Sequence, residues 1–430
     1  MMSGLDRRGF LKLVAAGALG AGLTACGAGD SGGGGGTTLR YAWWGNNVRQ
    51  QNYTKALKEF VAKNPGIQVE PEFAEYSAFQ ERMTTQMAAR DVADIFWVAS
   101  AQVMTYHKSN IYRRLDEVPS VNLADYSKEE LESFKLGGQL NTMPFGIFVP
   151  VFRYNETFAE EDGVKLPPAD ADWDAWSEFL IDYSKDNPKQ RKGMPYEADA
   201  DMVFEAWLRQ RGELLWTQDG KPGFTADSVR AWFDWWDKMQ KAGAVMTLSE
   251  QEGMGPDWAV VGKKVLAKVG NSNHIIDDAK MFPDYSFKLR SVPVNKDAQA
   301  GHPFLYYPRM AIYQGIDDDK LEAAGKLVSY NTNDPAMIKT VGLTMGAPVN
   351  PKVFEQTLAS AQGDDKEMLD AVQVSRKAER RPRFEAPPGT STWRTAMARV
   401  AEEISLGRLS TADGAKRLLD EINAGIARAQ

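Results

Sequence analysis

Cysteine is almost absent from this chain. Cys26 is the only one among 430 residues, which excludes a structural disulfide within the chain. Histidine occurs three times, as His107, His274 and His302. A zinc site built from Cys and His is therefore nearly excluded, and the three histidines read as surface or packed residues. No apolar run reaches the roughly 20 residues of a membrane-spanning helix. Residues 13–23 would span only about 16 Å as a helix, half a bilayer core. Basic blocks are missing too. Asp and Glu outnumber Lys and Arg by 58 to 51, a net charge of −7, which argues against nucleic acid as a partner. The sequence contains no GxxxxGK[ST], GxSxG or HExxH, so nothing suggests a P-loop, a nucleophile elbow or a zinc protease, and no cofactor is expected.

What the chain has is an ordinary globular composition, with 43% hydrophobic and 25% charged residues. Its length predicts two or more domains. Twelve tryptophans is a high count that needs a reason. Arg7-Arg8-Gly9-Phe10-Leu11-Lys12 resembles a twin-arginine export signal, with Asp6 where that motif usually has Ser or Thr. Leu23-Thr24-Ala25-Cys26 matches a bacterial lipobox, so residues 1–25 read as a signal peptide and Cys26 as the lipidated residue. Seven glycines follow within residues 26–36. They make a flexible tether with a reach of roughly 20 Å. The protein is thus expected outside the cytoplasm, lipid-anchored to the outer face of the cell membrane.

Hydropathy patterning then predicts strand 39–44, helix 48–63, strand 67–73, helix 77–90 and strand 95–98. That alternation with short links implies a parallel sheet covered by helices, whose ligands bind at the carboxyl ends of the strands. Residues 145–154 read as a Pro-interrupted strand crossing between lobes. Helices are predicted over 173–185, 202–215, 226–241, 321–330, 395–404 and 411–427. Strands are predicted over 265–269, 287–292 and 311–313.

Asp170, Asp172 and Asp174 alternate like the start of a calcium loop. Ala175 and Ile181 stand where such a loop needs Gly and Glu, so Asp172 reads as a helix cap and no metal is expected. Asp317-Asp318-Asp319 reads as a helix start. Trp232, Trp235 and Trp236 share one helix face and read as core, as do Trp173 and Trp176. Trp44 and Trp97 lie at or near carboxyl ends of predicted strands, beside Asn46 and Ser100. Trp393 follows a Pro-Pro-Gly-Thr-Ser-Thr loop. An indole face matches the apolar face of a pyranose, and neighbouring polar groups match its hydroxyls.

Taken in order, several segments resemble the extracellular solute-binding proteins of carbohydrate ABC importers, the family that includes maltodextrin-binding proteins. They are Leu39-Arg-Tyr-Ala-Trp-Trp-Gly45, Phe60-Val-Ala-Lys-Asn-Pro-Gly-Ile-Gln-Val69, Ala93-Asp-Ile-Phe-Trp97, Pro150-Val-Phe-Arg-Tyr-Asn155, Asp172-Trp-Asp-Ala-Trp176, Gly262-Lys-Lys-Val-Leu-Ala-Lys-Val-Gly270 and Leu343-Thr-Met-Gly-Ala-Pro348. The resemblance implies an α/β fold, a two-lobe periplasmic-binding-protein-like clamp with hinge crossovers. Residues 37–152 and 303–347 would form the first lobe, and 153–302 with 348–430 the second. It implies a monomeric, non-enzymatic receptor that delivers a sugar or oligosaccharide to ABC permease subunits and their ATPase. Trp44, Asn46, Trp97 and Ser100 would line the first-lobe wall, and Asp201, Glu205, Asn271, Ser272 and Trp393 the second, with Tyr76 and Tyr307 as further contacts. Alternatives are a receptor for glycerol phosphate, with Arg309 and Arg394 as anion ligands, a receptor for a polyamine, or a surface glycoside-processing enzyme using Asp201 and Glu205.

Overall fold

A computed structural model describes residues 36–185, 187–252 and 264–430. The expected export signal, lipobox and most of the tether lie outside the described residues. Residues 36–430 form one compact unit.

The first layer follows the predicted alternation. Strand β1 (Thr37–Trp44) leads into helix α1 (Asn47–Lys63), strand β2 (Ile67–Ala74), helix α2 (Tyr76–Ala89) and strand β3 (Ile95–Val98). Asn46 caps α1 by accepting the Arg49 N–H at 2.9 Å. Tyr53, Ala56, Leu57 and Phe60 recur at helical spacing and are buried on the sheet. Asn64-Pro65-Gly66 ends the helix, with Gly66 at φ +92°, where glycine is at ease. Short strand β4 (Met143–Pro144), strand β5 (Pro150–Asn155) and helices α3 (Trp173–Ser184), α4 (Asp201–Gln210) and α5 (Ala226–Lys241) come next. The remaining labelled elements are β6 (Ala267–Asn271), α6 (His274–Met281), β7 (Phe287–Ser291), β8 (Arg309–Ile312), α7 (Leu321–Asn333), α8 (Trp393–Ser405) and α9 (Thr411–Ala429).

The larger sheet has the order β2-β1-β3-β8-β4. β1 is parallel to β2 and β3, as expected, but β8 runs antiparallel to both β3 and β4, so the sheet is mixed. A second sheet, β6-β5-β7, is wholly antiparallel. Asn333-Asp334-Pro335 breaks the chain: Asp334 ends α7 and caps a following helix with Pro335 in its first turn. Asp172 caps α3, its carboxylate accepting the Ala175 N–H at 2.9 Å.

The buried side chains gather into two main cores. One lies around the mixed sheet and holds Tyr41, Trp43, Trp97 and Phe145. The other holds Trp173, Trp176, Trp207, Trp216, Trp232, Trp235, Trp236 and Trp393, which accounts for most of the tryptophans. Packing, not ligand contact, is thus their main use. The first core also takes in Ile275, Phe287, Phe354 and Met368 from later segments of the chain.

The chain passes between the cores on extended backbone. Phe148 pairs with Tyr306, and Ile147 with Ala347, as isolated bridges. Strand alternation deals successive side chains to opposite sides. Val149 and Val151 enter the first core while Phe148 and Phe152 enter the second. Likewise Leu305 and Tyr307 face the first core, and Phe304 and Tyr306 the second.

Candidate functional site

The carboxyl end of β1 delivers Trp44 to the seam between the cores. Trp44 is half-buried. Its indole meets Tyr76 at 5.5 Å, Phe79 at 5.2 Å and Trp97 at 5.0 Å, the last edge-on at 89°. Gly45 follows, and a Cβ there would lie 2.6 Å from Cδ of Arg49, so glycine lets Arg49 fold back over the chain. Asn46 is exposed at the α1 cap, and Ser100 is half-buried in the turn after β3.

Tyr76 opens α2 and is 39% exposed. Its hydroxyl lies within electrostatic reach of Arg394, at the start of α8. Burial raises the Tyr76 pKa, and the Arg394 charge opposes the rise. Arg394 also forms an ion pair with Asp201 and lies within electrostatic reach of the Tyr306 hydroxyl. Four segments distant in sequence thus meet at one guanidinium: the start of α2, the start of α4, the 303–308 crossover and the start of α8.

One turn along α4 from Asp201, Glu205 is buried and grips Arg383, whose Nε lies 2.9 and 3.1 Å from the two carboxylate oxygens and Nη2 3.0 Å from Oε2. Arg383 also reaches Glu385 at 3.5 Å, and Glu385 accepts from Arg309 Nε at 3.0 Å. Burial would raise the Glu385 carboxyl, but Arg309 and Arg383 outweigh it and hold the pKa below the ordinary value. This alternating chain links α4, on the second core, to β8, in the mixed sheet. A further turn on, Arg209 donates to the carbonyls of Gly301, His302, Arg381 and Pro382.

At the end of β6, Asn271 is half-buried, and Ser272 is wholly buried with its hydroxyl accepting the Val149 N–H at 3.2 Å. Asn273 donates to the Thr344 carbonyl at 2.8 Å, and its side-chain oxygen is enclosed without a partner. Beneath it, Arg153 and Asp278 form a fully buried pair, Nε to Oδ2 3.0 Å. Burial pushes Asp278 up to about 6 even though Arg153 and Lys268 pull it down. Burial, then the charges of Arg153, Lys268 and Arg49, hold His274 well below its ordinary value, so its ring is neutral at pH 7. Among the described residues no cluster of three or more His, Cys, Asp or Glu could hold a metal ion.

Of the residues expected in the cleft, Trp44, Tyr76, Asp201, Asn46, Ser100 and Asn271 keep accessible surface. Five expectations need correction. Trp97 is fully buried, stacked on Phe145 at 4.5 Å and donating its N–H to Tyr41 at 2.8 Å, because β3 is covered on both faces. It braces Trp44 from behind instead of forming a wall. Glu205 is consumed by Arg383 and Ser272 by the crossover backbone, so neither is free for ligand or catalysis. Trp393 is buried edge-on against Trp216 at 5.8 Å. Tyr307 lies away from Trp44, on a groove between the helix Lys128–Phe134 and residues 380–388. That groove holds adjoining cavities of about 820 and 560 Å³, which share Lys135, Arg309, Arg383, Phe384 and Glu385.

Sequence alone does not single out Tyr306, and it presents Arg394 only as an anion ligand. The available signal was alternation. Choosing Tyr307 on an extended segment places Tyr306 on the opposite face, and burying Trp393 at a helix start turns its neighbour Arg394 elsewhere.

A sequence profile for the family described as bacterial extracellular solute-binding protein matches residues 55–368. A protein of Brucella abortus (strain 2308), whose name describes it as a binding protein, is 24% identical over 215 residues, 47% of this chain and 49% of the relative. The chain spans about half the length of the curated relatives it matches. Among solved structures, a periplasmic solute-binding protein from Pectobacterium atrosepticum superposes with a TM-score of 0.79 at 17% identity, covering 91% of this chain and 99% of that one. A periplasmic oligogalacturonide-binding protein from Yersinia enterocolitica, in complex with saturated digalacturonic acid, gives 0.77 at 16% identity over 91% and 99%. The GacH receptor of Streptomyces glaucescens gives 0.75 at 15% identity over 92% and 100%. At these identities the structural likenesses establish the fold, that of two-lobe binding proteins.

Proposed function

The chain belongs to the bacterial extracellular solute-binding proteins, and from that premise we propose that it captures a sugar or short oligosaccharide at the seam between its two cores. Delivery to an ABC permease and its ATPase completes the role. The carrying observation is the convergence of Tyr76, Asp201, Tyr306 and Arg394 beside the half-buried Trp44. An aromatic surface next to a few oriented polar groups suits the two-faced chemistry of a pyranose. Asn46, Ser100 and Asn271 supply further hydroxyl partners from either side. The fold neighbours named for oligogalacturonide and acarbose support a saccharide ligand.

Two lobes hinged at residues 147–150, 304–307 and 345–349 would close on the ligand, which stabilises the closed form only through its higher affinity for that form. Among the described residues no helix is long and apolar enough to cross a membrane. Attachment is assigned to lipid on Cys26, after export through the twin-arginine signal. Cys26→Ser should release the protein into the medium or periplasm and abolish labelling by palmitate; retention at the membrane would refute the anchor.

The ligand test is calorimetry and thermal shift of the chain from residue 37 onward against mono- and oligosaccharides, glycerol 3-phosphate and spermidine. A site filled at 100 times Kd raises stability by about 2.7 kcal/mol. A response to a saccharide supports the receptor; a response only to glycerol phosphate or spermidine replaces the sugar with that solute. Silence from the whole panel defeats the reading.

A further inference from the structure

We propose that the groove between the helix Lys128–Phe134 and residues 380–388 is a second ligand site, one that takes an aromatic carboxylate. It is separate from the seam and does not rest on the sugar-receptor reading.

Segments of both cores build this groove. Phe134, at the end of the helix, lies in the first core, and Phe384 packs on the second. The crossover residues Phe304, Leu305 and Tyr307 lie between them as a floor. Tyr306, on the opposite face of that extended segment, enters the second core. Trp44, Tyr76 and Asp201 do not line the groove, so a ligand here leaves them free.

The bank at residues 380–388 is fixed in place. Arg209 is fully buried and donates to the carbonyls of Gly301, His302, Arg381 and Pro382. Arg381 in turn donates Nη2 to the Arg209 carbonyl and its backbone N–H to the Gly301 carbonyl, the latter at 2.9 Å. Arg380 donates Nη1 to the carbonyls of Ser375 and Arg376, each at 2.6 Å, at the end of the helix Gly363–Lys377. Both guanidinium groups are thus placed before a ligand arrives, which lowers the cost of ordering them on binding.

Charge selects the sign of the ligand. Six cations and three acids line the cavity of about 820 Å³. Lys135 is paired with Glu132, Arg309 with Glu385, and Arg383 with both Glu205 and Glu385. Among the described residues, Lys128, Arg380 and Arg381 have no acidic partner, and Glu129 is the one lining acid with no basic partner. These four side chains are exposed or half-buried, so a solute can reach them. Three open cations against one open acid repel a cation and attract a carboxylate, whose two oxygens suit a guanidinium.

The floor selects the body of the ligand. Tyr307 and Phe384 are half-buried. Phe134 holds the Tyr307 ring edge-on at 5.5 Å. An inorganic anion would fill little of this volume and would leave both rings wet. A flat aryl group covers them while its carboxylate stays on the cationic bank, the usual combination of apolar surface and a few oriented charges in a small-molecule site.

The experiment is calorimetry on the chain from residue 37 onward with 2-naphthoate, its neutral counterpart 2-naphthamide, and sodium sulfate. The proteins are wild type, the double variant Lys128→Gln with Arg380→Gln, Tyr307→Leu and Trp44→Ala. Wild type should bind 2-naphthoate at one site, at least tenfold more tightly than 2-naphthamide. The double variant should lose about tenfold in affinity, the effect of a charge-assisted hydrogen bond, and its loss should shrink as salt is raised. Tyr307→Leu should lose about fivefold, the worth of an aromatic contact. Trp44→Ala should bind 2-naphthoate as wild type does.

Absence of 2-naphthoate binding at millimolar concentration would overturn the site. Equal affinity for 2-naphthamide, or an unchanged double variant, would overturn the anionic class. Sulfate binding as tightly as 2-naphthoate would overturn the aromatic one. Loss of binding in Trp44→Ala with none in Tyr307→Leu would move the ligand to the seam and overturn the location. Each of these failures leaves the sugar receptor standing. Melting curves establish that each variant is folded; if the double variant is not, Lys128→Gln alone, at an exposed position, decides the charge.

Discussion

Arg383 lies in the fork of the Glu205 carboxylate, with three nitrogen–oxygen separations of 2.9 to 3.1 Å, and its guanidinium stands 5.0 Å from the centre of the Tyr306 ring. The pair joins the last extended segment of the chain to α4, so the position of α4 and its Asp201 depends on it. Glu205 is 2% exposed. Removing one partner of a buried pair strands the other charge, at about 3–5 kcal/mol. Glu205→Gln should therefore lower unfolding stability by roughly that amount in urea titrations. Loss of sugar binding by Glu205→Gln at unchanged stability would mean that Glu205 touches ligand after all.

Trp44 and Trp97 touch each other yet should behave differently. Trp97→Ala empties a fully enclosed site and should cost about 3–5 kcal/mol of stability. Trp44→Ala should cost clearly less, because the indole is only half-buried, and its main effect should be weaker ligand binding. Chemical denaturation and calorimetry on the two variants separate the roles. Equal stability losses would mean that Trp44 is core as well.

Two glycines govern the crossovers. A Cβ on Gly146 would stand 1.9 Å from the Met345 carbonyl oxygen. At Gly346, φ is +96° and a Cβ would lie 2.4 Å from the Ile147 oxygen. Gly146→Ala and Gly346→Ala should each cost about 1–3 kcal/mol, since both segments must part to admit a methyl group. They should also change the free-to-bound difference in small-angle scattering. Alanine variants with wild-type melting temperature and scattering would show that these segments yield freely.

Asp278 makes a testable contribution to pH dependence. Its folded pKa of about 6 lies above the ordinary carboxylate value of 3.8 because burial disfavours the charge. The folded state holds this proton more tightly than the unfolded state. The resulting stability is present at low pH and is lost as pH rises between about 4 and 6. Asp278→Asn removes the term, so variant stability minus wild-type stability should rise across that window. Urea titrations from pH 4 to 7 check the slope; a flat or falling difference would place the Asp278 proton elsewhere.

How much was legible in sequence follows from the range of each signal. Helical spacing of Tyr53, Ala56, Leu57 and Phe60, the Asn-Pro-Gly stop and the alternation in β2 are local, so α1 and its flanking strands emerge within a residue or two of their predicted bounds. The i, i+3, i+4 spacing of Trp232, Trp235 and Trp236 placed them correctly in a core. The strand-end rule led to Trp44, which the structure leaves half-buried at the end of β1.

Local pattern could not tell which tryptophans near that end stay open. Trp97 is enclosed because Trp44, Tyr53 and Phe145, from three other segments of the chain, pack around its ring. Nor could it show that Glu205 would be taken by Arg383, 178 residues away, while Asp201 leaves Arg394 half-filled. The sequence by itself determined the helices, the strands and their exposed and buried faces, because propensity, capping and periodicity act over a few residues. The tertiary structure decided which charges neutralise one another and which aromatic rings reach the seam, because electrostatic pairing and burial are set by neighbours in space.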